Sequence, residues 1–254
     1  MKLLFAAALA SCAMGCAMTP PHLSLAAKLR IEDETTLWDV RAGRARPGDA
    51  NVRVLSRDGL CSGVLIGDAL VLTAQHCVTA SEPGAVRVEL GGDYLPWGRA
   101  GVVAVVGCPG WDSDAGRDVA VLVLERRVPA DVPRYEPRLG APVRDGERVR
   151  VVGFGTGSDV WELPGTGGWA LQSARSARDG ETTLVLGDRF YLSARAQHGD
   201  SGGAVLSLED GDVVGVLSEK QERATGDDDD GMSVLAAGLA PCAGAIARAR
   251  ALAP

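Results

Sequence analysis

The chain has 254 residues, 46% of them hydrophobic, with 33 glycines and 13 prolines. That is enough apolar side chain to fill one large domain or two compact ones, and it turns too often for a helical bundle. A formal net charge of −7 argues against nucleic acid, which needs a concentrated basic face, and no run of about eighteen uncharged apolar residues offers a spanning helix.

In chain order, residues 1–16 read as an export signal: Lys2, an apolar run from Leu3 to Ala10, then small residues. Leu9-Ala10-Ser11-Cys12 resembles the lipobox of bacterial lipoproteins, whose cysteine is lipidated, and Ala13-Met14-Gly15-Cys16 is a looser match. The other reading is a plain secretory signal that is cleaved off together with its cysteines. Both readings export the mature chain into an oxidising compartment where disulfides persist. Residues 17–45 mix proline, charge and alanine and read as a tether or pro-segment.

Short β-branched segments follow at Val52–Leu55, Cys61–Ile66, Ala69–Leu72, Val86–Leu90, Val102–Val106 and Val119–Leu124. The stretch from Val128 to Val143, with Pro129, Pro133, Pro137 and Pro142, cannot sustain a central strand and reads as an inter-domain crossing. A second set comprises Arg148–Phe154, Thr182–Leu186, Ala204–Leu208 and Val213–Leu217. Residues 241–252 read as a helix, with Pro241 at its start and Arg248 and Arg250 near its C-terminus. The expected plan is two all-β halves, about 46–130 and 144–240, and a terminal helix.

The sharpest motif is Gly199-Asp200-Ser201-Gly202-Gly203. A serine hydroxyl attacks a carbonyl only when a base takes its proton, and the oxyanion that forms needs backbone N–H donors. Glycines let the backbone approach the substrate. Thr73-Ala74-Gln75-His76-Cys77 follows an apolar strand that Cys61-Ser62-Gly63 precedes. Of the other two histidines, His22 falls in the tether and His198 beside the serine loop. Asp118 opens the run Val119-Ala120-Val121-Leu122.

These three segments, in the order His, Asp, Ser, resemble the trypsin/chymotrypsin family of serine peptidases over roughly residues 45–252. Val152-Gly153-Phe154-Gly155 is similar to the family's Gly-aromatic-Gly segment, and Gly215-Val216-Leu217-Ser218 to its strand beside the pocket. The resemblance implies an all-β fold of two six-stranded antiparallel Greek-key barrels with a C-terminal helix, and a cleft between them. It implies that Ser201 is the nucleophile, His76 its base and Asp118 the group that orients the imidazole, with the N–H groups of Gly199 and Ser201 as oxyanion hole. Ser218 would hydrogen-bond Asp118. Arg195, six residues before Ser201, would lie at the pocket base, and Lys220 at its wall. Cys61 would pair with Cys77; Cys108 and Cys242 would pair as well, or remain buried thiols.

Departures from the family pattern accompany the match. The N-terminal Ile-Val-Gly-Gly whose freed amine meets the aspartate matching Asp200 is missing, and Arg30-Ile31 and Asp39-Val40 are poor substitutes. The proline usual after the serine motif is Ala204, and the cysteine pair bracing the pocket is absent. No cofactor is expected. The cysteines lack zinc-ligand spacing, and Asp227–Asp230 reads as a solvated acidic loop rather than a calcium site. Trp97 and Trp111 read as barrel core or rim. The expected partners are protein or peptide substrates, a protein inhibitor and, through an N-terminal lipid, a membrane. Competing functions are a protease homologue that binds without turnover, and an esterase on the same scaffold.

Overall fold

The structure is a computed structural model that describes residues 47–57, 59–91, 98–111, 117–155, 160–162, 169–171, 175–221 and 233–254. All of them fall within one compact unit. Cys12, Cys16, His22, Trp97 and Asp227–Asp230 lie outside the described residues, so the expectations for the signal, the tether and the acidic run are not addressed by it.

Six strands close the first barrel: β1 (Asn51–Ser56), β2 (Gly59–Gly67), β3 (Leu70–Thr73), β4 (Arg87–Leu90), β5 (Gly98–Gly107) and β6 (Ala120–Leu124). They run antiparallel in the order β1-β2-β3-β6-β5-β4, and β4 returns to pair with β1. Alternate residues point to opposite faces of a strand. Leu65, Val71, Leu122 and Leu124 accordingly fill the lumen with Val52, Val54, Val88 and Leu90. Val64, Ile66, Leu72, Val121 and Val123 face outward, yet they are covered by the second barrel and the terminal helix. Burial on both faces explains why these strands read as continuous apolar runs rather than as alternating ones.

The second barrel is formed by β7 (Arg148–Gly153), β10 (Ser176–Leu186), β11 (Arg189–Leu192), β12 (Ala204–Ser207), β13 (Val213–Gln221) and β14 (Ser233–Gly238). Their order is β10-β11-β14-β13-β12-β7. Between β7 and β10 lies a separate hairpin of β8 (Val160–Glu162) and β9 (Trp169–Leu171). Strand β10 is longer than its expected core, and β11, β14 and the hairpin were not anticipated. Phe154 lies past the end of β7, buried beneath the guanidinium of Arg53, which stacks 4.4 Å from its ring centre. This contact joins the two barrels.

The proline-rich crossing runs between the barrels and bonds to both. Tyr135 N–H donates to Leu65 O at 3.0 Å, and Arg138 N–H to Val213 O at 2.9 Å. Arg138 anchors it further through the buried Glu147 (2.6 Å) and Asp210 (2.7 Å). The terminal helix α1 begins at Ala243 and ends at Leu252, after a tight turn over Ala240–Cys242 that absorbs Pro241. Its buried residues are Ala245, Ile246 and Ala249, of which Ile246 and Ala249 pack with Val121 and Val123 of the first barrel.

Two disulfides cross-link the fold, Cys61–Cys77 over 16 residues and Cys108–Cys242 over 134. Loop entropy assigns them about 3 and about 5 kcal/mol respectively. Replacing both members of a pair by alanine should therefore lower the melting temperature by roughly 5–10 °C for the short loop and 10–20 °C for the long one. Thermal denaturation followed by circular dichroism checks this, and the reverse order of the two losses would refute it.

Candidate active site

Thr73, the last residue of β3, pairs with Ala120, the first of β6. Antiparallel pairing thus delivers the residues just past β3 and just before β6 to one rim of the barrel. Those residues are His76, in the tight turn Gln75–Cys77, and Asp118. In the second barrel Ala204 of β12 pairs with Val216 of β13, so Ser201 and Ser218 also share a rim. The register of β13 against β14 slips between Leu217 and Glu219, leaving Ser218 as the extra residue of a bulge. Bulges redirect a side chain, and this one sends the Ser218 hydroxyl out of its own barrel toward Asp118.

Three hydrogen bonds converge on Asp118, which is only 6% exposed. His76 N–H donates to Oδ1 at 2.8 Å, His76 Nδ1 meets Oδ2 at 2.6 Å, and Ser218 Oγ donates to Oδ2 at 2.6 Å. Burial alone would raise the pKa of this carboxyl. The hydrogen bond and charge of His76, with the Ser218 hydroxyl, outweigh it and hold the group below the ordinary 3.8. Its stabilising contribution is present above that value and is lost as pH falls through the lowered one. An ionised Asp118 accepts from Nδ1–H, which leaves Nε2 of the half-exposed imidazole as an acceptor.

Ser201 Oγ donates to Ser218 O at 3.4 Å. Cys77 Sγ lies 3.6 Å from His76 Nε2 and 3.8 Å from Ser201 O, so the imidazole and the serine flank one disulfide sulfur. Cys61, Cys77 and His76 gather their sulfur and nitrogen atoms within 4.8 Å. Cross-linked, the two cysteines offer no thiolate, so the trio is not a metal site.

The serine loop is shaped by its glycines. Gly199 sits at φ 93° and Gly202 at φ 80°, the left-handed region. A Cβ on Gly202 would also come within 2.3 Å of Ser62 O and Thr73 Oγ1. Among the described residues neither Gly199 N–H nor Ser201 N–H has an acceptor. Two donors without partners, side by side at the serine, form an anion-binding concavity.

Ser62, fully buried in β2, holds this loop from the other barrel. Its hydroxyl donates to Gly199 O at 2.7 Å and accepts from Phe154 N–H at 2.8 Å, and its own N–H donates to Ser201 O at 2.7 Å. It was not foreseen as a site residue. The available signal was a hydroxyl between Cys61 and Gly63 at the head of an apolar strand. Arg195 is exposed, with no ion-pair partner among the described residues. The side chain of Lys220 lies outside the description.

A sequence model of the trypsin family matches residues 40–233. The chain belongs to the trypsin family. Among solved structures, a scabies mite inactivated protease paralogue, S-I1, superposes with a TM-score of 0.64 at 18% identity, covering 81% of this chain and 96% of that one. Neuropsin, a serine protease expressed in the limbic system of mouse brain, gives a TM-score of 0.62 at 16% identity, with 81% and 97% covered. At such identities the likeness is one of fold. The trypsin-family fold therefore frames the site, and its side chains decide what the site can do.

Ser62→Ala would leave Gly199 O and Phe154 N–H without their buried partner, at a cost of about 1–3 kcal/mol. It should also let the serine loop shift, cutting kcat by roughly 10- to 100-fold. Melting curves and ester hydrolysis check both effects, and an unchanged kcat would show that Ser62 does not position the loop.

Proposed function

We propose that this trypsin-family chain is an exported serine endopeptidase working through an acyl-enzyme. The observation that carries the reading is the relay across the barrels, Ser218 to Asp118 to His76, beside a serine loop whose Gly199 and Ser201 amides have no acceptor among the described residues. Ser201 Oγ attacks the scissile carbonyl carbon while His76 Nε2 takes its proton, and Asp118 holds the tautomer and the imidazolium that results. The carbonyl oxygen, now an oxyanion, accepts from Gly199 N–H and Ser201 N–H. The tetrahedral intermediate collapses, the C–N bond breaks, and His76 returns the proton to the leaving amine. Water, deprotonated by His76, then releases the acyl group from Ser201.

The reading includes a bacterial origin and a signal over 1–16 that directs export, with a lipid on Cys12 or Cys16 holding the chain at a membrane or, failing that, secretion. Substrates are proteins or peptides, and a protein inhibitor would occupy the same cleft. Likeness to an inactivated paralogue favours one second reading, a protease homologue that binds without turnover.

Labelling by a fluorophosphonate probe separates the two. The chain should label at Ser201, and Ser201→Ala and His76→Ala should each remove nearly all peptide hydrolysis, with the double mutant little worse because triad members act as a unit. A single mutant keeping more than about a tenth of the wild-type rate would overturn the assignment, since far less survives loss of a triad member.

Primary specificity is expected to follow Arg195 and Lys220, whose positions resemble the family's pocket base and wall. Two cations there disfavour a basic substrate side chain through like-charge repulsion. A peptide library should show poor cleavage after arginine or lysine and preference for acidic or small residues. Clear preference for basic residues would remove Arg195 and Lys220 from the pocket and leave the triad untouched.

A further inference from the structure

A carboxylate removed from water needs a counter-charge and hydrogen bonds. The Asp200 side chain is buried, with 1% of its surface exposed. It also stands in the chain between Gly199 and Ser201, so whatever holds its carboxylate holds the peptide that links the two unpartnered amides. The sequence supplies no Ile-Val-Gly-Gly amine for it.

Among the described residues, the partners all come from the second barrel and its loops. Gly155 N–H donates to Oδ1 at 2.6 Å, Gln197 N–H to Oδ2 at 2.8 Å, and Arg178 Nη1 to Oδ2 at 3.0 Å. The same Nη1 donates to Arg195 O at 3.1 Å. One guanidinium nitrogen therefore ties both ends of the 195–200 loop. Arg178 projects from β10 opposite Val151 of β7. Its neighbours Ala177 and Asp179 face solvent, and Asp179 pairs with Arg150 on the outside, so strand alternation turns Arg178 inward. A Cβ on Gly153 or Gly155 would come within 2.4 or 2.6 Å of Oδ1, so both glycines are fitted to the carboxylate.

We propose that Arg178 is a positioning residue that supplies the counter-charge of Asp200 and thereby sets the oxyanion amides, so that the chain is competent without an N-terminal amine released by cleavage. The proposal rests on the peptidase reading for its kinetic consequence. Its structural consequence, an ordered 195–202 loop, stands apart from turnover.

The test uses the full chain and its R178Q, R178K and R178A variants. The wild type should label with the fluorophosphonate whatever N-terminus intact mass finds within residues 17–46. R178Q should lower kcat for an ester substrate by about 100-fold while KM moves less than about threefold, the size expected when an oxyanion donor is lost. Because a single nitrogen makes both contacts, R178K should recover to within about tenfold of wild type, and ethylguanidinium should raise R178A by about tenfold or more where equal urea does not. Should R178Q fail to fold, R178K and the rescued R178A carry the comparison. Hydrogen exchange across 195–202 should quicken in R178Q and return in R178K.

A wild-type kcat in R178Q, or no recovery in either R178K or the rescued R178A, overturns the proposal. So does labelling that appears only after a cut within 17–46 and is lost on acetylating the new amine. Exchange that ignores Arg178 overturns it even in a chain that never turns over. Exchange that follows Arg178 in a chain that neither labels nor hydrolyses supports it, and sinks the peptidase reading instead.

Discussion

One buried hydroxyl, that of Ser62, joins the two halves of the molecule at the point where chemistry is expected. The groups that must cooperate come from different barrels, His76 and Asp118 from the first, Ser201 and Ser218 from the second. A shift of one barrel against the other would separate them. Ser62 resists this by offering its N–H and its hydroxyl at once to the second-barrel groups Ser201 O, Gly199 O and Phe154 N–H, while its carbonyl is held within the first barrel by Thr73 Oγ1. Ser62 itself is buried, and leaving a buried partner unmade is costly, so the barrels have one register that satisfies these bonds together. The Arg53–Phe154 stack and the Arg117–Asp188 pair, at 2.9 Å, reinforce that register from the periphery.

The first barrel was legible chiefly through β2, β3 and β6, whose apolar stretches are buried on both faces and so are written in Val, Leu and Ile almost without interruption. The second was legible in part. Its lumen is filled by Phe190, whose ring lies where a Cβ on Gly215 would stand, at 2.7 Å. Ala236, which shares the lumen with that ring, is small, and the run Ala236, Ala237 and Gly238 of β14 carries little strand propensity. Strand β11 is four residues long and follows directly on the turn at Gly187, too brief to show a period. Of the candidate site, the local motifs around His76, Asp118 and Ser201 could be read directly, because each is contiguous in the chain. Ser62 and Arg178 could not be read in this way. Their partners Gly199 and Asp200 lie 137 and 22 residues distant, and only closure of the barrels brings them together.

The fold does not decide activity. The same two barrels superpose on a structure described as inactivated and on one described as a protease, at nearly equal scores. What distinguishes a working member is held in a few side chains at the rims. Here those rims carry Asp118 with three hydrogen bonds, the half-exposed His76 and, among the described residues, a serine loop whose Gly199 and Ser201 amides have no acceptor.

The Cys108–Cys242 bond has a further consequence. It starts ahead of Asp118 and ends at the foot of α1, so the whole second barrel is enclosed within a covalent ring. Exposed surface turns are where proteases preferentially nick a folded chain. A cut anywhere between residues 108 and 242 opens the ring without releasing a fragment, and the hydrogen-bonded barrel still holds the severed ends near each other. The molecule would persist as two chains on one frame, His76 on the first piece and α1 on the last.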